Sequence, residues 1–265
     1  MRGITIVTTA GRPDAQSEAL ARYAADCLEC DVVPRNKRSV QKLSREYDAH
    51  VLVAGKTRYE YFAKGAAEPF FFHPNSAAFR LKRIARGEQE PLLDATKLEA
   101  GMRFLDCTLG IGADSLVAAF VVGESGQVVG VEANDNVAFI VREGMKTYDT
   151  TELPLTSCMR TIDVVSSEAV AYLRTCADNC FDVVYMDPMF EEVIAESTNF
   201  TALREAGEHL ALTDEWVNEA KRVAKCRVVL KAHYTSALFT QYNFEQQRRD
   251  SAKFHYGVWE KDSII

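Results

Sequence analysis

The sequence predicts an α/β fold built on a mostly parallel sheet, and three observations carry that expectation. From Met102 onward, apolar runs of strand length alternate with amphipathic helical stretches, the pattern of a parallel sheet covered by helices on both faces. The first of these runs opens into a glycine turn, Gly110-Ile111-Gly112. Acidic residues recur where successive runs end, and open parallel sheets bind ligands at the carboxyl ends of their strands.

Taken in order, the elements begin with a small α/β unit. Gly3–Thr8 reads as a strand, and the turn Gly11-Arg12-Pro13 leads into a helix over Asp14–Asp26. A short strand at Asp31–Val33, a helix at Ser39–Tyr47 and a strand at His50–Val53 follow. The aromatic stretch Pro69-Phe70-Phe71-Phe72-His73-Pro74-Asn75 precedes a basic helix over Ala77–Arg86. Tyr59, Tyr61, Phe62 and Phe70–Phe72 are read as packing residues, with base stacking as the alternative. Gly87-Glu88-Gln89-Glu90-Pro91 reads as a linker and Leu92–Ala100 as a lead-in, so residues 1–90 form an N-terminal α/β region and 91–265 the main domain. In that domain strands are expected at 103–107, 127–132, 160–165, 181–186 and 226–231, with helices at 113–122, 135–147, 167–174, 197–209 and 213–224. The last run, Phe254–Glu260, has no helix after it and is expected to close the sheet as an antiparallel strand paired near 239–244.

Composition narrows the function classes. With 47% hydrophobic and 26% charged residues among 265, the chain reads as a globular protein with a substantial core. No apolar stretch approaches the ~20 residues of a membrane span, and the N-terminal run Ile4–Val7 lacks a signal-peptide pattern, so a cytoplasmic protein is expected. Seven cysteines, an odd number, fit a reducing compartment. Cys27-Leu28-Glu29-Cys30 is the single C-x-x-C and has no second pair at zinc-site spacing, so no metal is expected. The net charge is −7, yet residues 35–86 hold twelve basic against four acidic side chains. Arg35, Lys37, Arg38, Lys56, Arg58, Arg80, Lys82, Arg83 and Arg86 are candidates to grip phosphates; the alternative is a solvated helix face.

Two segments carry chemistry. In Phe104-Leu105-Asp106-Cys107-Thr108-Leu109-Gly110-Ile111-Gly112 the glycines let backbone approach a ligand closely. Asp106 precedes them, and an acid there repels a pyrophosphate but attracts a sulfonium and an ammonium. This favours S-adenosyl-L-methionine over a dinucleotide, as does Ser115 in place of the third glycine of G-x-G-x-x-G. Asp114 is placed to cap the next helix or hold cofactor, and Glu132, twenty residues after Gly112, to accept from ribose hydroxyls. Asp163, Ser166 and Ser167 are expected at the end of the third strand, toward the adenine; the alternative is that Ser166 or Ser167 caps the helix that follows.

The second segment is Asp187-Pro188-Met189-Phe190, closing the run Phe181–Met186. Methylating a planar amine needs acceptors for its N–H bonds, because its lone pair is delocalised into the ring. Asp187 and the carbonyl of Pro188 supply acceptors, and Phe190 a stacking face. These three are the expected catalytic residues. Lys231 is expected at a solvated strand end, the alternative being that it faces the site, and the histidines His73 and His233 receive no role.

The set Asp106-x-Thr108-x-Gly110-x-Gly112-x-Asp114, Glu132, Ser166-Ser167 and Val183–Phe190 resembles the RsmJ-like class I methyltransferases. Thr8–Pro13, Arg35–Ser39 and Phe71–Asn75 extend the likeness to YpiP-like sequences. The resemblance implies a Rossmann-like methyltransferase sheet, and cofactor contacts from Ala113, Asp114, Glu132, Ala133, Ser166, Ser167 and Asp187. It also implies methylation of a guanine amino group in ribosomal RNA. Glu191-Glu192 stand where that family has proline and basic residues, which keeps a protein or small-molecule acceptor as an alternative. A non-enzymatic RNA-binding module of the same fold is the other alternative.

Overall fold

The structure, a computed structural model, describes residues 3–150, 155–188, 211–250 and 252–261. They form two compact units. The first holds the described residues up to His73 together with Asn134–Thr147. Its four-stranded sheet has the order β2-β1-β3-β4, from β1 (Thr5–Thr9), β2 (Asp31–Val32), β3 (His50–Ala54) and β4 (Tyr59–Phe62). β1 runs parallel to β2 and β3, and β4 is antiparallel to β3.

The helices of this unit start where short polar side chains satisfy their first amides. Asp14 caps α1 (Ala15–Leu28) in a reciprocal pair with Ser17, and Ser39 caps α2 (Val40–Tyr47); a cap of this kind stabilises by about 1 kcal/mol. Ile6, Leu43, Val51 and Val53 form the core beneath α2. The helix Asp135–Thr147 belongs to this unit and packs against α1 and β4. Tyr59 meets Phe139 of that helix edge-on, with ring centroids 4.9 Å apart. The aromatics Tyr59, Tyr61, Phe70 and Phe72 are therefore core residues, as expected, although β4 itself was not read from the sequence.

The second unit holds Pro74–Ala133 and the described residues beyond Tyr148 that fall outside the first. It opens with α3 (Asn75–Ala85) and α4 (Pro91–Thr96), followed by β5 (Arg103–Asp106), α5 (Ala113–Val122) and β6 (Gln127–Glu132). With the helix at Asp135–Thr147 counted as α6, there follow α7 (Leu155–Arg160), β7 (Ile162–Ser166), α8 (Ala169–Thr175), β8 (Phe181–Met186) and α9 (Asp214–Val223). Last come β9 (Ala224–His233), α10 (Leu238–Gln241), β10 (Glu245–Gln247) and β11 (Phe254–Glu260).

These strands make a seven-stranded sheet of order β10-β11-β9-β8-β5-β6-β7. β5 to β9 are parallel, and β11 runs antiparallel to both neighbours. One face is covered by α8, α9 and α10 through Leu173, Trp216, Val217 and Phe239. α5 packs on β5 and β6, α3 on α5, and α4 on β9 and β11. The chain winds outward from β5 to β6 and β7, then returns to place β8 on the other side of β5. The order therefore reverses between β5 and β8, which is the crevice position for this architecture.

Several boundaries depart from the sequence reading. β7 begins at Ile162, behind the unanticipated short helix α7, so Asp163 is its second residue. It is exposed and three residues short of the carboxyl end, about 10 Å away at strand spacing; its assignment to the cofactor end is corrected on that ground. The partner expected for β11 near 239–244 is instead β10, with β9 on the other side, because 238–241 coils into α10. The lead-in contains α4, started by Pro91 at its first turn and by Glu90 accepting from the Leu92 amide. The helix expected at 197–209 lies outside the described residues.

Gly130 in β6 faces Leu109, and a Cβ built there would lie 2.4 Å from Leu109 Cδ1. Leu109 is buried within the glycine turn, so Gly130→Val overpacks the support of that turn by about 1–3 kcal/mol. We expect thermal unfolding to show a Tm lower by several degrees; an unchanged Tm would mean that Leu109 yields freely.

Candidate active site

The carboxyl ends of β5, β6 and β8 bring the sequence-predicted residues together. Asp106 ends β5 and is 1% exposed. Its Oδ1 accepts from the Thr108 amide at 3.0 Å and the Thr108 hydroxyl at 3.3 Å, and its Oδ2 from Ser115 Oγ at 2.7 Å. Asp106 thus braces the turn from within. Burial, with the nearby charge of Asp114, pushes its carboxyl up to about 7.

Thr108 is the hinge between the two motifs. Its Oγ1 accepts from the Asp187 amide at 2.8 Å, so the first motif fixes the backbone of the second. Gly110 and Gly112 adopt φ of 51° and 79°, left-handed values that a side chain disfavours. Gly112 opens α5 without a side-chain cap, and the first-turn residues Ala113 and Asp114 follow. Glu132, at the end of β6, accepts from the Gly110 amide at 3.1 Å. Ser166 pairs in register with Glu132, and the Ser167 amide donates to the Glu132 carbonyl at 3.0 Å. Glu168, not Ser166 or Ser167, occupies the N-cap of α8. Ala133 lies just beyond β6 and is partly exposed.

Asp114 and Asp187 are held by residues that sequence reasoning did not assign. Asp114 Oδ1 accepts from Arg80 Nη1 at 2.5 Å and its Oδ2 from the Tyr185 hydroxyl at 2.8 Å. Arg80 also reaches Glu90 Oε1 at 2.7 Å. Lys231 Nζ lies 2.5 Å from Asp187 Oδ2 and 3.9 Å from Asp114 Oδ2. Burial opposes the charge on Asp114, but Lys231 and Arg80 overcome it and hold the carboxyl at about 2. Burial and Asp114 push Asp187 upward against the pull of Lys231. Burial likewise works against the charge on Lys231, and Asp187 and Asp114 reverse that effect and keep it protonated.

Two expectations change here. Lys231, expected at a solvated strand end, faces the site. Arg80, expected among the phosphate-gripping residues, is part of the site's internal ion pairing. The signal for both was weak because their partners lie 44 and 34 residues away. Pro188 is buried beside Asp187, and Phe190 lies outside the described residues. His233 bonds Thr235 at 2.8 Å. Among the described residues no group of three or more His, Cys, Asp or Glu side chains is arranged to hold a metal.

The donor set suits a cation. Asp114, Asp187 and Glu90 outnumber Arg80 and Lys231, so an anionic ligand meets uncompensated like charge, whereas a ligand carrying a sulfonium and an ammonium offsets it. The left-handed glycines leave the backbone open to close approach. The residues present therefore fit S-adenosylmethionine.

Comparison with known proteins agrees. A family model described as "Putative SAM-dependent methyltransferase" matches residues 69–256. The chain is 42% identical over 253 residues to the uncharacterized protein YpiP of Bacillus subtilis (strain 168), covering 96% of this chain and 98% of that one. It is 27% identical over 185 residues to the ribosomal RNA small subunit methyltransferase J of Psychrobacter arcticus, covering 66% of this chain and 60% of that protein. Its fold matches the crystal structure of the SAM-dependent methyltransferase NGO1261 from Neisseria gonorrhoeae, with a TM-score of 0.60, 16% identity and coverage of 98% and 97%.

The buried Asp106 yields a pH prediction. Its folded pKa, raised from 3.8 to about 7, means that between those values the folded state binds more protons than the unfolded one. Its contribution to stability is thus present at low pH and lost as pH rises from about 4 to 7. Denaturant titrations from pH 4 to 8 are expected to show this fall, and Asp106→Asn to flatten it. Parallel profiles for the two proteins would contradict the assignment.

Proposed function

The chain belongs to the SAM-dependent methyltransferase family and takes its methyl group from S-adenosyl-L-methionine, and on that premise we propose that the acceptor is the exocyclic amino group of an RNA base. A guanine of ribosomal RNA is the specific candidate, by the name of the Psychrobacter arcticus relative. The observation that carries this reading is Asp187-Pro188 closing β8 at the switch point, tied through Thr108 to the glycine turn.

The cofactor supplies an electrophilic methyl group on a positively charged sulfur. On this reading Asp106, Thr108, Gly110, Gly112, Ala113 and Asp114 form its cradle, Glu132 and Ala133 meet the ribose, and Ser166 and Ser167 lie toward the adenine. Asp187 contributes at the junction with the acceptor. Lys231 occupies Asp187 Oδ2 at 2.5 Å and fixes the carboxylate plane, which directs Oδ1 to an incoming N–H. The Pro188 carbonyl takes the second N–H, and Phe190 stacks on the base. With both N–H bonds engaged by these acceptors, the nitrogen would pyramidalise and free its lone pair for the methyl group that the bound cofactor would supply; holding the two in line would provide much of the rate. The proton released after transfer passes to Asp187 or water. A base inside a helix is first swung out.

On this reading residues 1–90 dock the substrate and residues 91–265 perform transfer, with Arg80 and Glu90 completing the ion pairing of the transfer site, and the enzyme works in the cytoplasm. No helix among the described residues is long and apolar enough to cross a membrane. A protein or small-molecule acceptor is the second reading, favoured by Glu191-Glu192 next to the motif, where acids repel phosphate. Family membership sets aside the non-enzymatic module.

Incubating the purified protein and tritiated S-adenosylmethionine with total RNA and total protein from cells lacking it tests the acceptor class. Label is expected in RNA; label confined to protein would overturn the RNA reading in favour of the second. With the labelled acceptor, Asp187→Ala is expected to lower transfer about 10²- to 10⁴-fold while cofactor affinity stays within about tenfold. Full turnover by that variant would remove Asp187 from the mechanism.

A further inference from the structure

The first unit has a ligand edge of its own. β1 is parallel to both β2 and β3, so the segments after Thr9, Val32 and Ala54 all leave at one edge of its sheet. The chain moves from β1 to β2 on one side and to β3 on the other. β1 therefore marks the reversal of strand order, where open sheets of this kind bind ligands. Thr8–Pro13 and Arg35–Ser39, singled out by sequence but unused by the chemical site, both lie here.

The edge is basic and built. Arg35 Nη1 donates to the Thr9 carbonyl at 3.3 Å and its Nε to the Arg38 carbonyl at 2.8 Å. Arg38 returns bonds to the Pro34 and Arg35 carbonyls and pairs with Glu46 at 2.8 Å. This mutual bracing holds Asn36 and Lys37 at φ of 46° and 60°, two successive non-glycine residues in the left-handed region, a strain that folds retain at functional sites. The Ala10 amide donates to the Ala54 carbonyl at 3.1 Å and ties the first loop to the third.

In the third loop a Cβ at Gly55 would sit 2.8 Å from the Arg58 carbonyl, so the turn is tight. Arg58 pairs with Glu60 at 2.7 Å and lies 3.8 Å over the Phe71 ring. Lys56 pairs with Asp14 at 2.9 Å, both side chains well exposed. Arg12 and Lys37 are exposed and make no ion pair among the described residues. Both α1 and α2 begin at this edge, adding the positive ends of their dipoles. Six cations stand against the three carboxylates that touch them.

The chemistry that fits is an extended polyanion. The accessible cations are spread along three loops and face solvent, as along a backbone track, rather than converging in an enclosed pocket for one phosphate. We propose that this edge binds the phosphodiester backbone of RNA. The inference rests on the RNA-acceptor reading and assigns its docking surface to the loops after β1, β2 and β3.

Fluorescence anisotropy with the full-length protein and a fluorescein-labelled 30-nucleotide RNA hairpin, across a potassium chloride series, tests it. The combined variant Arg12→Ala/Lys37→Ala/Lys56→Ala touches no residue of the chemical site. It is expected to bind at least tenfold more weakly at 50 mM salt and to lower the salt slope by about two. Cofactor affinity by calorimetry should match the parent, and an unchanged far-UV circular dichroism spectrum and thermal unfolding curve confirm that the first unit folds. A second variant, Arg12→Glu/Lys37→Glu, should weaken binding further at unchanged cofactor affinity. If the variants bind RNA like the parent, the edge is not the docking surface, although the RNA reading stands. If the parent itself binds no hairpin, or only inorganic pyrophosphate, both fall.

Discussion

The chemical site depends on an unequal pairing of buried charge. Asp114, Asp187 and Glu90 gather around Arg80 and Lys231 at the end of a sheet whose strands are otherwise apolar. Such groups are costly to remove from water and persist only where partners and hydrogen bonds satisfy them. Here each is tied to a different element. Arg80 comes from α3, Asp114 from α5, Asp187 from the end of β8 and Lys231 from β9. The ion pairs therefore lock four elements into one geometry, and Thr108 adds the link from the β5 turn to the Asp187 backbone.

The surplus of carboxylates also explains the choice of ligand. A site with matched charges binds a neutral or zwitterionic molecule with little electrostatic preference. Burial raises the Asp106 carboxyl to about 7, and Lys231 and Arg80, with the Tyr185 hydroxyl, hold Asp114 charged against its burial. A positively charged sulfur is the species that such an environment stabilises.

Much of this was legible in the sequence because it is local. The strand–turn–helix passage from Phe104 to Val122 and the run ending at Asp187 carry their periodicity and their glycines within a few residues, and the structure places them as the pattern implied. Glu132 was found by its spacing from the turn. What escaped was non-local. Tyr185 reads as one more buried strand residue until its hydroxyl is seen on Asp114, 71 positions away. Lys231 and Arg80 read as surface cations for the same reason. Asp163 was misplaced because α7 delays the start of β7, and a shift of two residues moves a side chain from one end of a short strand toward the other.

The most direct measurement is a crystal structure with S-adenosylmethionine soaked in. The donor is expected at the ends of β5 and β6, its ribose on Glu132 and its methyl group directed at the carboxylate of Asp187, with Lys231 still on Oδ2. A methyl group directed away from residue 187, or a donor bound elsewhere on the molecule, would contradict it.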